Sequence, residues 1–120
     1  MKNLQDTMML FFEKEQNFGI LCKIEHVEFD PPLPEEITAS FRPITLFFLG
    51  GYTFESARID GDYLIFEAGF GANNIGSIVS VPILAILQIL VDETPLVINL
   101  ADYKKHLEVS EAKIDEEGVK

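Results

Sequence analysis

The 120-residue sequence predicts a mainly β domain of the α+β class. Three observations lead there. Short runs with period-two alternation or unbroken apolar character recur along the chain, and turn residues punctuate them at close intervals. Helical periodicity is confined to two stretches, one at the N-terminus and one after Pro82. The expected picture is a strongly curved antiparallel sheet of many short strands, an N-terminal helix and a second helix.

Taken in order, residues 4–16 predict the first helix, with Leu4, Met8, Phe11 and Phe12 at helical spacing. Met9 and Leu10 widen its apolar face beyond one stripe, so the excess is expected to meet a second copy of the chain. Gly19 suits a left-handed cap after the break at Asn17-Phe18. Residues 20–29 alternate as a strand, Ile20 and Cys22 on one face and Lys23 and Glu25 on the other. Val27 and Phe29 change the phase, which predicts a bulge or slip near His26. The acidic, proline-rich stretch 30–36 reads as an exposed connector.

Residues 37–41 read as extended, Ile44–Leu49 as an apolar strand ending at Gly50-Gly51, and 52–59 as another strand. Asp60-Gly61-Asp62 is a strong hairpin signal, with 63–68 as the returning strand. A Gly- and Asn-rich loop over 69–76 leads to a short strand at 77–81. Pro82 then stands at the first position of a helix that would bury Ile83, Ile86, Leu87 and Leu90. Residues 96–100 read as one more apolar strand. Beyond 101 charge dominates, so residues 1–107 read as a single domain and 108–120 as a flexible acidic tail.

Composition narrows the function classes. Apolar residues make up 48% of the chain, enough for a real core. Cys22 is the one cysteine and suits a reducing compartment. The N-terminal residues lack the pattern of a signal peptide, and the longest apolar run, 78–91, is shorter than the roughly 20 residues that span a bilayer. A cytoplasmic location is expected. A formal net charge of −11 argues against nucleic acid and anionic membranes as partners, since both need clustered Lys and Arg.

The chemistry-bearing residues do not converge. His26 and His106 lie on different elements without further ligands at metal spacing, so no metal and no cofactor is expected. The loop 69–77 has glycines, but Ser77 stands where a phosphate-binding loop needs lysine. No serine or cysteine has an activating base in a recognisable motif. A non-enzymatic role is the expectation.

One stretch is distinctive. Phe66-Glu67-Ala68-Gly69-Phe70-Gly71, followed by Val79-Ser80-Val81-Pro82 and the apolar Ile83-Leu84-Ala85-Ile86-Leu87, resembles the stringent starvation protein B family. That family carries a Phe-x-Ala-x-Phe-Gly strand, a loop, and Val-Ser-Val-Pro opening a helix. Close identity lies within 66–87, and similarity of pattern runs over 4–100. Gly69 replaces an arginine of the family motif and Ala72 replaces a glycine.

The resemblance implies an Sm-like, partly open antiparallel β-barrel over 20–100 that forms a homodimer through the N-terminal helix, by Leu4, Met8, Phe11 and Phe12. It implies an adaptor that grips an extended degron, the ssrA tag, and delivers tagged proteins to the ClpXP protease. The expected peptide-binding surface is Phe47, Phe48, Gly50 and Gly51 with Ala68, Gly69, Phe70 and Gly71. Gly118, Val119 and Lys120 stand where the family docks on the ClpX ATPase. The alternative reading is a small dimeric scaffold, or a domain holding an apolar ligand between sheet and helix. An Sm-like RNA binder suits the barrel but not the charge.

Overall fold

The computed structural model describes residues 3–91 and 94–98. The first helix, α1 (Leu4–Glu13), starts at Asn3, whose side chain accepts a hydrogen bond from the Asp6 N–H at 2.8 Å. It ends earlier than expected. Glu15 turns into the left-handed region (φ 56°), and the N–H groups of Gln16 and Glu15 close on the Phe11 and Phe12 carbonyls at 2.8 and 3.2 Å. This is a Schellman closure with glutamate in the position glycine usually takes. Gly19 is therefore not the cap and lies inside the first strand.

The chain continues through β1 (Phe18–Lys23), a 3-10 turn at Ile24–His26, and β2 (Glu28–Asp30). The change of phase near His26 is this turn. The short helix α2 (Glu35–Thr38) replaces part of the extended segment expected at 37–41, because the N–H groups of Ile37 and Thr38 close on the Pro34 carbonyl. Next come β3 (Ile44–Leu49), α3 (Gly51–Ser56) and β4 (Arg58–Asp60). The strand expected over 52–59 is thus mostly helix. Gly51 enters it at φ 56°, and Phe54 turns inward to pack edge-on against Phe12 and Phe18.

Strand β5 (Tyr63–Phe70) returns from β4 through Gly61-Asp62, and Gly61 at φ 63° meets the positive φ that this tight turn demands at its first central residue. Strand β6 (Ile75–Pro82) pairs with β5 along its whole length. The expected second helix after Pro82 is absent. Ile83–Ala85 form a single 3-10 turn, then Ile86–Val91 and Thr94–Ile98 form β7 and β8. The run 83–91 is apolar except for Gln88, and β7 lies between β1 and β8 with its first four residues buried. A strand covered on both faces needs no alternation, so its sequence imitates a buried helix.

Two four-stranded antiparallel sheets result, in the orders β3-β1-β7-β8 and β2-β6-β5-β4. The 3-10 turns at Ile24–His26 and Ile83–Ala85 are corners at which the chain leaves one sheet and enters the other. The inner faces share one core. Phe18, Ile20, Cys22, Phe47, Leu49, Ile86 and Ile89 come from the first sheet, and Leu64, Phe66, Val79 and Val81 from the second. Residues 108–120, expected as a tail, and Gly118, Val119 and Lys120 within it lie outside the described residues. No helix among the described residues is long and apolar enough to cross a membrane.

Candidate functional site

On the outer face of the second sheet a shallow trough of about 530 Å³ runs over β5 and β6. Its position results from the alternation of the two strands. Leu64 and Phe66 on β5, with Val79 and Val81 on β6, point into the core. Glu67 and Gly69, with their cross-strand partners Ile78 and Gly76, therefore face outward. The paired glycines add no side chains of their own; the space over Gly76 is open, and the Asn74 side chain lies over Gly69. Tyr52 and Thr53 of α3 form one wall, and Asp30 and Pro31 at the end of β2 form the other.

The walls are held by specific bonds. The Tyr52 hydroxyl donates to Glu67 Oε1 at 2.7 Å. That bond, and after it the carboxylate's charge, holds the phenol above its ordinary pKa. Ser56 Oγ accepts the Glu67 N–H at 2.9 Å, fastening α3 to the flank of β5, and Ser77 Oγ donates to the Pro31 carbonyl at 2.9 Å on the opposite side. Successive N–H groups of a strand point to opposite edges, so the backbone polar groups of Gly69 lie on the same edge as those of Glu67. Strand β4 ends at Arg58, opposite Ile65, and no described strand lies beside Gly69 on that edge.

The residues expected to bind peptide are dispersed. Ala68 and Gly69 line the trough. Phe47 is buried, and Phe70 packs with Phe29, Phe41 and Phe47 in an inner aromatic cluster whose ring centroids lie 5.6 to 6.5 Å apart. Phe48 projects from the outer face of the other sheet, 65% exposed, and its ring lies over Gly50, the residue preceding α3. Gly51 opens α3, and Gly71 (φ 76°) sits where the β5–β6 turn passes close to Ile37.

Of the residues expected at a dimer contact, Leu4 and Met8 are buried in the chain's own core, and the rings of Phe11 and Phe12 lie 5.4 and 5.8 Å from that of Phe18. The outer side of α1 instead presents Asp6, Met9, Leu10 and Glu13.

Sequence reasoning missed Asp30, Pro31, Tyr52, Glu67, Asn74, Gly76 and Ile78. Extending the alternation of 63–68 through the loop would have placed Gly69 and Gly76 face to face. Nothing local to Asp30 or Tyr52 announces that they flank that strip.

The trough offers hydrogen-bonding edges, an apolar floor and carboxylates, and of the hydroxyls that line it those of Tyr52 and Ser77 donate to Glu67 and to the Pro31 carbonyl. Cys22 lies in the core, and burial pushes its thiol up to about 12. His26 is exposed beside Glu25 on the 3-10 turn, and no group of three or more His, Cys, Asp or Glu among the described residues could hold a metal ion. Compared with family models, with curated proteins and with solved structures, the chain matches none.

Proposed function

We propose that this chain is a non-enzymatic adaptor that captures an extended degron peptide in the trough over β5 and β6 and presents its cargo to the ClpXP protease. The trough carries the reading. Its floor is open at Gly76 and admits a peptide backbone close to the sheet there, Tyr52 and Pro31 offer apolar flanks, and the edge of β5 at Gly69, beside which no described strand lies, offers main-chain hydrogen bonds. Those are the ingredients by which extended peptides are held.

The strands that turn a corner at Ile24–His26 and Ile83–Ala85 support reading the two sheets as a partly open, Sm-like β-barrel. The homodimer belongs to the same proposal, and its contact is the outer side of α1 around Met9 and Leu10. An ssrA-like tag is the cargo that the family resemblance suggests, and ClpX the partner. Gly69 in place of the family's arginine removes a cation that would meet an acidic tag, so the proposed degron is ssrA-like in its extended form and not in its charge.

The test is fluorescence anisotropy with a panel of labelled extended peptides, an ssrA tag and its scrambled control among them. Saturable, sequence-dependent binding that is lost in Gly76→Trp is the expected result. No binding across the panel at high protein concentration overturns the proposal.

A further inference from the structure

The register across three strands puts Asp30, Ile78 and Glu67 in one row on the floor of the trough: Asp30 pairs with Ile78, and Ile78 with Glu67. Side chains directly opposite one another share a face, and neighbouring strands lie about 4.8 Å apart. The backbones of two carboxylate residues therefore stand about 10 Å apart, with an apolar side chain, 39% exposed, between them. The Tyr52 hydroxyl binds one oxygen of Glu67, which holds that carboxylate over the floor and leaves its second oxygen for another donor. No Lys or Arg lines the trough. The nearest cation by register is Arg58, opposite Ile65, one row away on the far side of β5. The next outward row in the other direction is the pair Gly69 and Gly76, with the Asn74 side chain over Gly69 and open space over Gly76.

We infer that this row is a subsite for a lysine or arginine side chain of the bound peptide, so that the trough selects basic extended segments over acidic ones. The inference rests on the proposed peptide-binding role of the trough and names the chemistry of its occupant. The methylenes of the basic residue lie along Ile78, the cationic head sits between Asp30 and Glu67, and the adjoining peptide backbone crosses the glycine strip. A long stem covering apolar surface with its charge held at the rim is the ordinary way such side chains are accommodated. Complementary charge sets which partner is admitted more than how tightly it is held. An acidic residue at the same place would face two like charges and no counter-ion.

The test uses the full-length protein and a family of labelled peptides identical except for one central residue: Arg, Lys, Ala or Glu. The expected order is Arg and Lys tightest, Ala weaker by about fivefold, and Glu weaker still, consistent with exposed ion pairs. The spread should shrink as ionic strength rises from about 0.05 to about 0.5 M. Glu67→Gln keeps an acceptor for Tyr52 and removes the charge. It and Asp30→Asn should each reduce the Arg-over-Ala ratio by about twofold or more, and the ratio is the readout because both residues also shape the trough for every peptide. Glu28→Gln, one row away opposite Ser80, should leave the ratio intact.

Equal affinity for all four peptides, or an unchanged ratio in both carboxylate variants, overturns the basic subsite. If that occurs while Gly76→Trp still abolishes binding, the trough stands as the peptide site with a different selectivity. If Gly76→Trp binds like the wild type, or no peptide binds, the site reading fails and the subsite with it.

Discussion

A tryptophan at position 76 separates occupancy of the trough from integrity of the fold. Gly76 lies within β6 opposite Gly69, and a Cβ built on it meets no heavy atom within 4 Å. Its φ is not in the left-handed region, so a side chain is admitted there without backbone strain. The stability change for a large aromatic in such a strand is under about 1 kcal/mol in either direction, against a total of about 5–15 kcal/mol for a domain of this kind. The indole would nonetheless lie in the open space over Gly76, between Tyr52 and Pro31. Blocking it should weaken peptide binding by at least about tenfold, or about 1.4 kcal/mol.

Two neighbours provide the contrast. At Gly69 an added Cβ would collide with the side chain of Asn74, which must swing away first. Ala68 packs against the core, and a tryptophan there overfills it at a cost of about 1–3 kcal/mol. Urea denaturation of the three variants, paired with peptide anisotropy, reads both quantities. The expected pattern is a wild-type midpoint with lost binding for Gly76→Trp, and a lowered midpoint for Ala68→Trp. A Gly76→Trp protein that unfolds early, or one that binds peptide normally, would refute the reasoning about the open strip.

Further expectations concern stability. Phe18 is fully buried against the rings of Phe11, Phe12 and Phe54, so Phe18→Ala should cost about 3–5 kcal/mol in urea denaturation, whereas the exposed Tyr52→Phe should cost under about 0.5 kcal/mol. Glu15→Gly relieves the left-handed residue closing α1 and should raise stability by about 0.5–1 kcal/mol, and a loss instead would mean that glutamate makes a contact worth more than the strain. The Cys22 thiol is raised from 9.0 to about 12 in the fold, so the unfolded chain releases its proton first. Stability is then intact below pH 9 and falls between pH 9 and 12 by up to about 1.4 kcal/mol per unit, a slope that Cys22→Ala removes. Identical profiles for the two proteins would sink that assignment. In the native protein at neutral pH, thiol reagents should leave Cys22 unmodified until it unfolds.

Where local chemistry dominates, the elements were legible before any packing is considered. The Asp60-Gly61-Asp62 turn, the return of residues 63–68 as a strand, the inward alternation of Ile20 and Cys22, and the start of an N-terminal helix all come from short-range geometry. The mainly β, α+β class was legible for the same reason.

Only the tertiary structure decided the identity of 83–91 and of 51–56. Ile83, Ile86, Leu87 and Leu90 satisfy a helical period, yet β1 and β8 are available on either side and their ladders satisfy the backbone of β7 as a strand. The aromatic run ending in Phe54 reads as strand, yet packing against Phe12 and Phe18 draws it into a helical turn. The candidate site belongs to the same category. Asp30, Tyr52, Glu67 and Gly76 are distant in sequence, and no local pattern relates them. Cross-strand register brings Asp30, Glu67 and Gly76 to one trough, and the bonds of Tyr52 and Ser56 to Glu67 bring α3 beside them; register is set by the buried faces of the strands, because a slip of a single residue would turn Phe66 and Val79 out of the core.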